Sequence, residues 1–169
     1  MPVFRIERHG TTLRPLTDAD QPFLLHLYGT AREAELRATG WTTEQKAQFV
    51  RMQFDAQQRA YFAYPDAEFF VIEQDGVPAG RIYLQHRQEA LLIIDISLVP
   101  EQCGSGIGSA VISAVFAQAR ASGKRVQIHV ERFNPAQRLY QRMGFRLVED
   151  KGVYLFLEWD GAAIQAATV

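Results

Sequence analysis

The sequence predicts a mixed α/β fold, and three observations point to it. Residues 68–99 are dominated by β-branched, aromatic and aliphatic side chains in short runs. Two segments rich in Ala, Gln, Arg and Leu precede them and read as helices. A strongly apolar strand, a glycine-rich loop and an apolar helix then follow one another over 90–122, a crossover unit whose hand is normally right.

Each element has a local reason. Residues 12–16 form a short first strand, after which Thr17 and Asp18 offer caps for a helix carrying Phe23, Leu24, Leu27 and Tyr28. A second helix is expected from Thr42 or Thr43, with Phe49, Met52, Phe54 and Tyr61 among its apolar residues and Pro65 at its end. Residues 68–73 and 81–84 read as a hairpin joined near Asp75-Gly76. The run 90–99 is apolar almost throughout, as a central strand covered on both faces would be. A helix to about Ser122 follows the loop, with Gly123 just beyond it. Residues 125–131 alternate Val126, Ile128 and Val130 with Gln127, His129 and Glu131, a strand with two unlike faces. Asn134 and Pro135 are expected to cap and start one more helix, closed by Gly144. Residues 145–148 and 153–159 complete the chain as two strands.

The 169 residues suit one domain, expected over 1–160, with a loose tail at 161–169. Eighteen Lys and Arg against nineteen Asp and Glu give a net charge of −1, which supplies no basic field for a nucleic-acid partner. One cysteine, Cys103, forms no internal disulfide and fits a reducing compartment. The charged N-terminal residues Arg5, Glu7 and Arg8 do not read as a signal peptide, and the run from Ala90 to Ile94 is far too short to span a bilayer. A cytoplasmic protein with no membrane partner is expected.

The loop 103–108, Cys-Gly-Ser-Gly-Ile-Gly, carries the main chemical signal. Its glycines let the backbone approach a ligand closely, and the helix behind it presents unpaired amides and a positive dipole end. No Asp or Glu lies between Gly104 and Ala119 to occupy that end. A phosphate-bearing ligand is expected. A Rossmann unit would need more chain than the 38 residues after Glu131, and a P-loop would need a Gly-Lys-Ser/Thr that is absent.

Residues 98–108, Leu-Val-Pro-Glu-Gln-Cys-Gly-Ser-Gly-Ile-Gly, resemble the acetyl-coenzyme A loop of the GCN5-related N-acetyltransferase (GNAT) superfamily, Arg/Gln-x-x-Gly-x-Gly/Ala. Asn134, Ala136, Tyr140, Gly144 and Phe145 resemble the same superfamily's Asn…Ala…Tyr-x-x-x-Gly-Phe segment. Together the two matches cover roughly 90–150. One position departs: Cys103 stands where that superfamily usually has Arg or Gln, a residue that helps hold the loop and the pyrophosphate. A reactive thiol and a neutral replacement are both readings of Cys103.

The resemblance implies a mixed, mostly antiparallel central sheet with helices on both faces. It also implies acetyl transfer from acetyl-coenzyme A, as co-substrate and without a metal, to a small-molecule or peptide amine in a ternary complex. The backbone of Ser97, Leu98 and Val99 would pair with the pantetheine arm, and the amides of Gly104, Ser105, Gly106, Ile107, Gly108 and Ser109 would hold the pyrophosphate. Asn134 would be a further coenzyme ligand. Tyr140 matches the general acid that protonates the departing thiolate. For the base, His129 matches a position where some members carry Glu; Asp95 and Glu131 are the other candidates. Glu33, Glu35 and Trp41, near the connection of the first two helices, are candidates to hold the acceptor. The last strand, with Trp159, is a candidate face for a homodimer. The rival readings are a non-catalytic acyl-coenzyme A-binding module and a nicotinamide-dependent oxidoreductase.

Overall fold

The structure, a computed structural model, describes residues 4–161, so the expected tail lies outside the described residues except for Gly161. The element order is β1 (Thr11–Pro15), α1 (Gln21–Arg37), α2 (Thr43–Phe62), β2 (Ala67–Gln74), β3 (Val77–His86), β4 (Ala90–Leu98), α3 (Ile107–Ser122), β5 (Arg125–Glu131), α4 (Gln137–Arg142), β6 (Arg146–Asp150) and β7 (Tyr154–Trp159). This is the sequence order of strands and helices expected above. The strands form one seven-stranded sheet in the order β1-β2-β3-β4-β5-β7-β6. Every neighbouring pair is antiparallel except β4 and β5.

Local chemistry fixes the ends of the elements. Asp75 and Gly76 have φ of +54° and +78°, both in the left-handed region a two-residue hairpin requires. Thr42 accepts from the Gln45 amide and the Gln45 side chain accepts from the Thr42 amide, a reciprocal cap that starts α2. Before α1, Asp20 holds the Thr17 amide and both terminal nitrogens of Arg14 at 2.7–2.8 Å, tying β1 to the helix. That arginine keeps the Asp20 carboxyl near about 2, well below its ordinary value.

Helices cover both faces, and β3 shows how. Ile82 and Leu84 belong to the large core shared with α3 and α4, whereas Tyr83 between them meets Gln58, Tyr61 and Phe62 of α2 on the opposite face. The large core includes Ile93, Val111, Val115, Val126, Ile128 and Leu157. A smaller cluster of Leu24, Tyr28 and Phe54 joins α1 to α2.

Two expectations are corrected. Asn134 does not cap α4: the helix begins at Gln137 behind Ala136, and Asn134 Oδ1 accepts from the Ala136 amide at 2.8 Å in a turn ahead of it. Trp159 offers no face to a second copy. It is 1% exposed, lies parallel to Phe116 with ring centroids 3.9 Å apart, and sits in β7, which is flanked by β5 and β6. The outer strand on that side is β6, exposed along its whole length, with a register shift between Leu147 and Glu149.

Candidate active site

The site is made by a strand pair that starts together and then separates. β4 and β5 pair only over Ala90–Ile93 and Arg125–Ile128. Beyond that, β4 has partners only in β3, and His129–Glu131 have partners only in β7. The divergence begins at Ile94, the extra residue of a bulge: Leu84 faces Ile93 while Tyr83 faces Asp95. The burial of β4 follows, complete from Ala90 to Ile93 and partial from Ile94 to Leu98.

The opening leaves main-chain groups without a strand partner, although Cys103 Sγ lies 3.8 Å from the Leu98 carbonyl oxygen. The Val99 amide donates to the Ala79 carbonyl at 2.8 Å, so alternation along the strand turns the N–H and C=O of Ile96 and Leu98 away from β3, toward the gap. β3 lies unusually close here. A methyl group on Gly80 would come within 2.2 Å of the Ser97 carbonyl, so only glycine fits.

Above the gap stands the loop. Gly106, at φ +92°, occupies the cap position of α3, gives no side-chain hydrogen bond to the helix, and is followed by no acidic residue in the first turn. Residues 103–106 are exposed, and a methyl on Gly104 would meet nothing within 4 Å. Open backbone, uncapped amides and a positive helix end fit an anion such as a diphosphate. Cys103 is an exposed free thiol, 3.5 Å from the Val99 carbonyl oxygen.

Below the loop the gap widens into a cleft of about 930 Å³ between the sheet and the first two helices. Asp95, Ser97, His129, Glu131 and Asn134 line it, as do Tyr28, Glu35, Tyr61, Phe133 and Lys151. Glu33 and Trp41 are not among its lining residues: Glu33 is exposed beside Arg37, and Trp41 packs edge-on to Phe49. Glu35 lines the cleft and pairs with Arg32 at 3.5 Å.

Asp95 is bound to Arg81, whose Nε donates to it at 2.7 Å while Nη2 donates to Gln57 at 2.8 Å. The guanidinium is 3% exposed and lies over the rings of Tyr61 and Tyr83. Sequence reasoning missed Arg81. The available signal was one arginine in the return strand facing one aspartate in an apolar strand, two charges that need each other when buried.

Tyr140 is 4% exposed, stacked edge-on to Phe145, and its hydroxyl has no hydrogen-bond partner among the described residues. Burial, and then the charge of Asp95, push it up to about 12, so it holds its proton at neutral pH. His129 stacks on Phe156 and faces Lys151. Burial first, then Lys151 and Arg87, push it below its ordinary value, so the ring is neutral at pH 7. Lys151 Nζ lies 3.4 Å from His129 Nε2; an ammonium only donates, which makes Nε2 the acceptor. The Glu131 carboxylate faces the charge of Arg32, which it helps keep protonated. Among the described residues, no cluster of His, Cys, Asp and Glu could hold a metal, and no helix is long and apolar enough to cross a membrane.

A sheet that opens beside a glycine loop makes a site for an anionic ligand with an extended arm, and comparison with known proteins makes this specific. The sequence pattern of the Acetyltransferase (GNAT) family matches residues 34–145, and the chain belongs to that family. Solved structures agree in fold. The PaiA N-acetyltransferase of Thermoplasma acidophilum, in complex with coenzyme A, is 16% identical with a TM-score of 0.69, over 89% of this chain and 98% of that one. A GNAT family acetyltransferase from Elizabethkingia anophelis with acetyl-CoA bound is 16% identical with a TM-score of 0.61, over 90% and 99%. The ribosomal-protein-S18-alanine N-acetyltransferase of Escherichia coli is 17% identical with a TM-score of 0.62, over 88% and 92%. No curated protein matches the chain in sequence.

Proposed function

We propose that the protein transfers an acetyl group from acetyl-coenzyme A to an amine by direct attack in a ternary complex. The observation that carries this reading is the unpaired edge of β4 beside the uncapped start of α3. Acetyl-coenzyme A supplies the thioester. The amides of 104–109 hold its diphosphate, and the outward-facing main-chain groups of Ile96 and Leu98, flanked by Ser97 and Val99, align its arm as an added strand would. Asn134, whose amide donors have no partner among the described residues, is a further contact.

The amine enters from the helix side of the cleft. His129 Nε2 takes its proton once Lys151 gives way, and the nitrogen then bonds to the acyl carbon. The Leu98 amide donates to the carbonyl oxygen as negative charge gathers there. Tyr140 gives its proton to the sulfur as the carbon–sulfur bond breaks, and the phenolate is reprotonated by the second proton that the nitrogen sheds in becoming an amide. A phenol held near about 12 is a weak acid, so that transfer accompanies bond cleavage rather than preceding it. Asp95, fixed by Arg81, keeps a carboxylate at the mouth of the cleft for a cationic acceptor.

The test is thioester consumption across a library of alkyl, aryl and peptide amines, with Tyr140→Phe as comparison. One amine class is expected to turn over, and the Phe variant to lose about a hundredfold in kcat with little change in KM. No consumption above the blank with any amine would remove the proposal.

A further inference from the structure

We infer that Arg8, in the segment before β1, is the residue that sets the coenzyme loop in its anion-binding form. The inference rests on the reading of that loop as the diphosphate site. Arg8 Nη2 donates to the Ser105 carbonyl at 3.0 Å, and Nε lies 3.8 Å from the point where a Cβ on Gly106 would stand. The arginine is itself fastened. Nη1 donates to Gln74 at 3.1 Å and to Thr11 at 3.4 Å, and the Gln74 amide nitrogen donates to the His9 carbonyl at 3.2 Å.

The consequence follows from peptide geometry. In a planar trans peptide the C=O and the next N–H point in opposite directions. The Ser105–Gly106 bond is trans, so holding the Ser105 oxygen on the Arg8 side turns the Gly106 N–H to the other side. Gly106 is the cap of α3, and its φ of +92° lies in a region where glycine meets no steric barrier to the alternative orientation. Within the loop, the Ser105 hydroxyl is spent on the Gln102 carbonyl at 2.6 Å, and Cys103 reaches only carbonyl oxygens behind it. Neither can hold that peptide. Arg8 does so from outside, and also brings a positive charge to a stretch with no acid from Gly104 to Ala119. It is a positioning residue, acting on the anion through the Gly106 amide.

Calorimetric titration with coenzyme A, and NMR titration with pantetheine, which lacks the diphosphate, separate the possibilities. In Arg8→Ala the Kd for coenzyme A is expected to rise about tenfold, the scale of one charge-assisted hydrogen bond, with pantetheine unchanged. Arg8→Lys, which retains charge and donor, is expected to recover most of the loss. The Gly106 amide resonance should shift on adding coenzyme A to the wild type and not to Arg8→Ala. Arg8→Gln, too short to reach Ser105, is read in the same way if the alanine variant does not fold. An unchanged Kd for coenzyme A, or an equal loss for both ligands, overturns the role of Arg8 alone. A wild type that binds no coenzyme A overturns the reading of the loop itself.

Discussion

The two halves of β4 have opposite duties and different residues, Ala-Leu-Leu-Ile in one and Asp-Ile-Ser-Leu in the other. From Ala90 to Ile93 the strand is paired on both sides and closed to solvent; from Asp95 to Leu98 it is paired on one side and half-open. One inserted residue, Ile94, separates them. The comparison teaches that a binding edge can be made from a core strand by displacing its neighbour, with polar residues, Asp95 and Ser97, entering where the strand opens.

Substitutions along β4 can sharpen or break that contrast. Ile93→Ala, in the closed half, removes a fully buried side chain and should cost about 3 kcal/mol of stability in urea, whereas Ile96→Ala in the open half should cost about 1 kcal/mol. Equal losses would mean that the open half is as tightly packed as the closed one. Gly80→Ala forces a methyl against the Ser97 carbonyl and should cost about 2 kcal/mol, with coenzyme affinity falling as the open edge is pushed out of line.

The smallest effect concerns the opposite wall. Lys151 helps hold His129 below its ordinary value, so if His129 is the base, activity falls only when the pH drops below that lowered point. Lys151→Ala removes a positive neighbour, raises the His129 pKa and moves the acidic limb of the pH–rate profile upward. An unmoved limb would assign the proton to another group, with Glu131 next in line.

Much of this was legible in the sequence. Val126, Ile128 and Val130 announced a one-sided strand by strict alternation, and all three are buried. The glycines at 104 and 106 marked the loop because few other residues tolerate their positive φ, while Gly108 already lies in α3. The divergence of β4 and β5 was not legible. Leu91, Leu92, Ile93, Ile94 and Ile96 look alike in composition, and a bulge depends on which neighbour each residue meets. Asn134-Pro135 misled for a local reason: the pair carries a helix-start signal, but the asparagine closes a smaller turn first. Arg8 was invisible as a site residue because its partner, Ser105, lies far along the chain, and Arg81 left only the indirect signal of a charge opposite Asp95.

The outer strand β6 has a consequence for life at high protein concentration. Its five residues include Arg146, Glu149 and Asp150, and its ladder is out of step between Leu147 and Glu149. A foreign strand laid along that rim would meet mixed charges and a broken rhythm of donors and acceptors, so the sheet terminates there and does not serve as a seed for stacking one molecule onto the next.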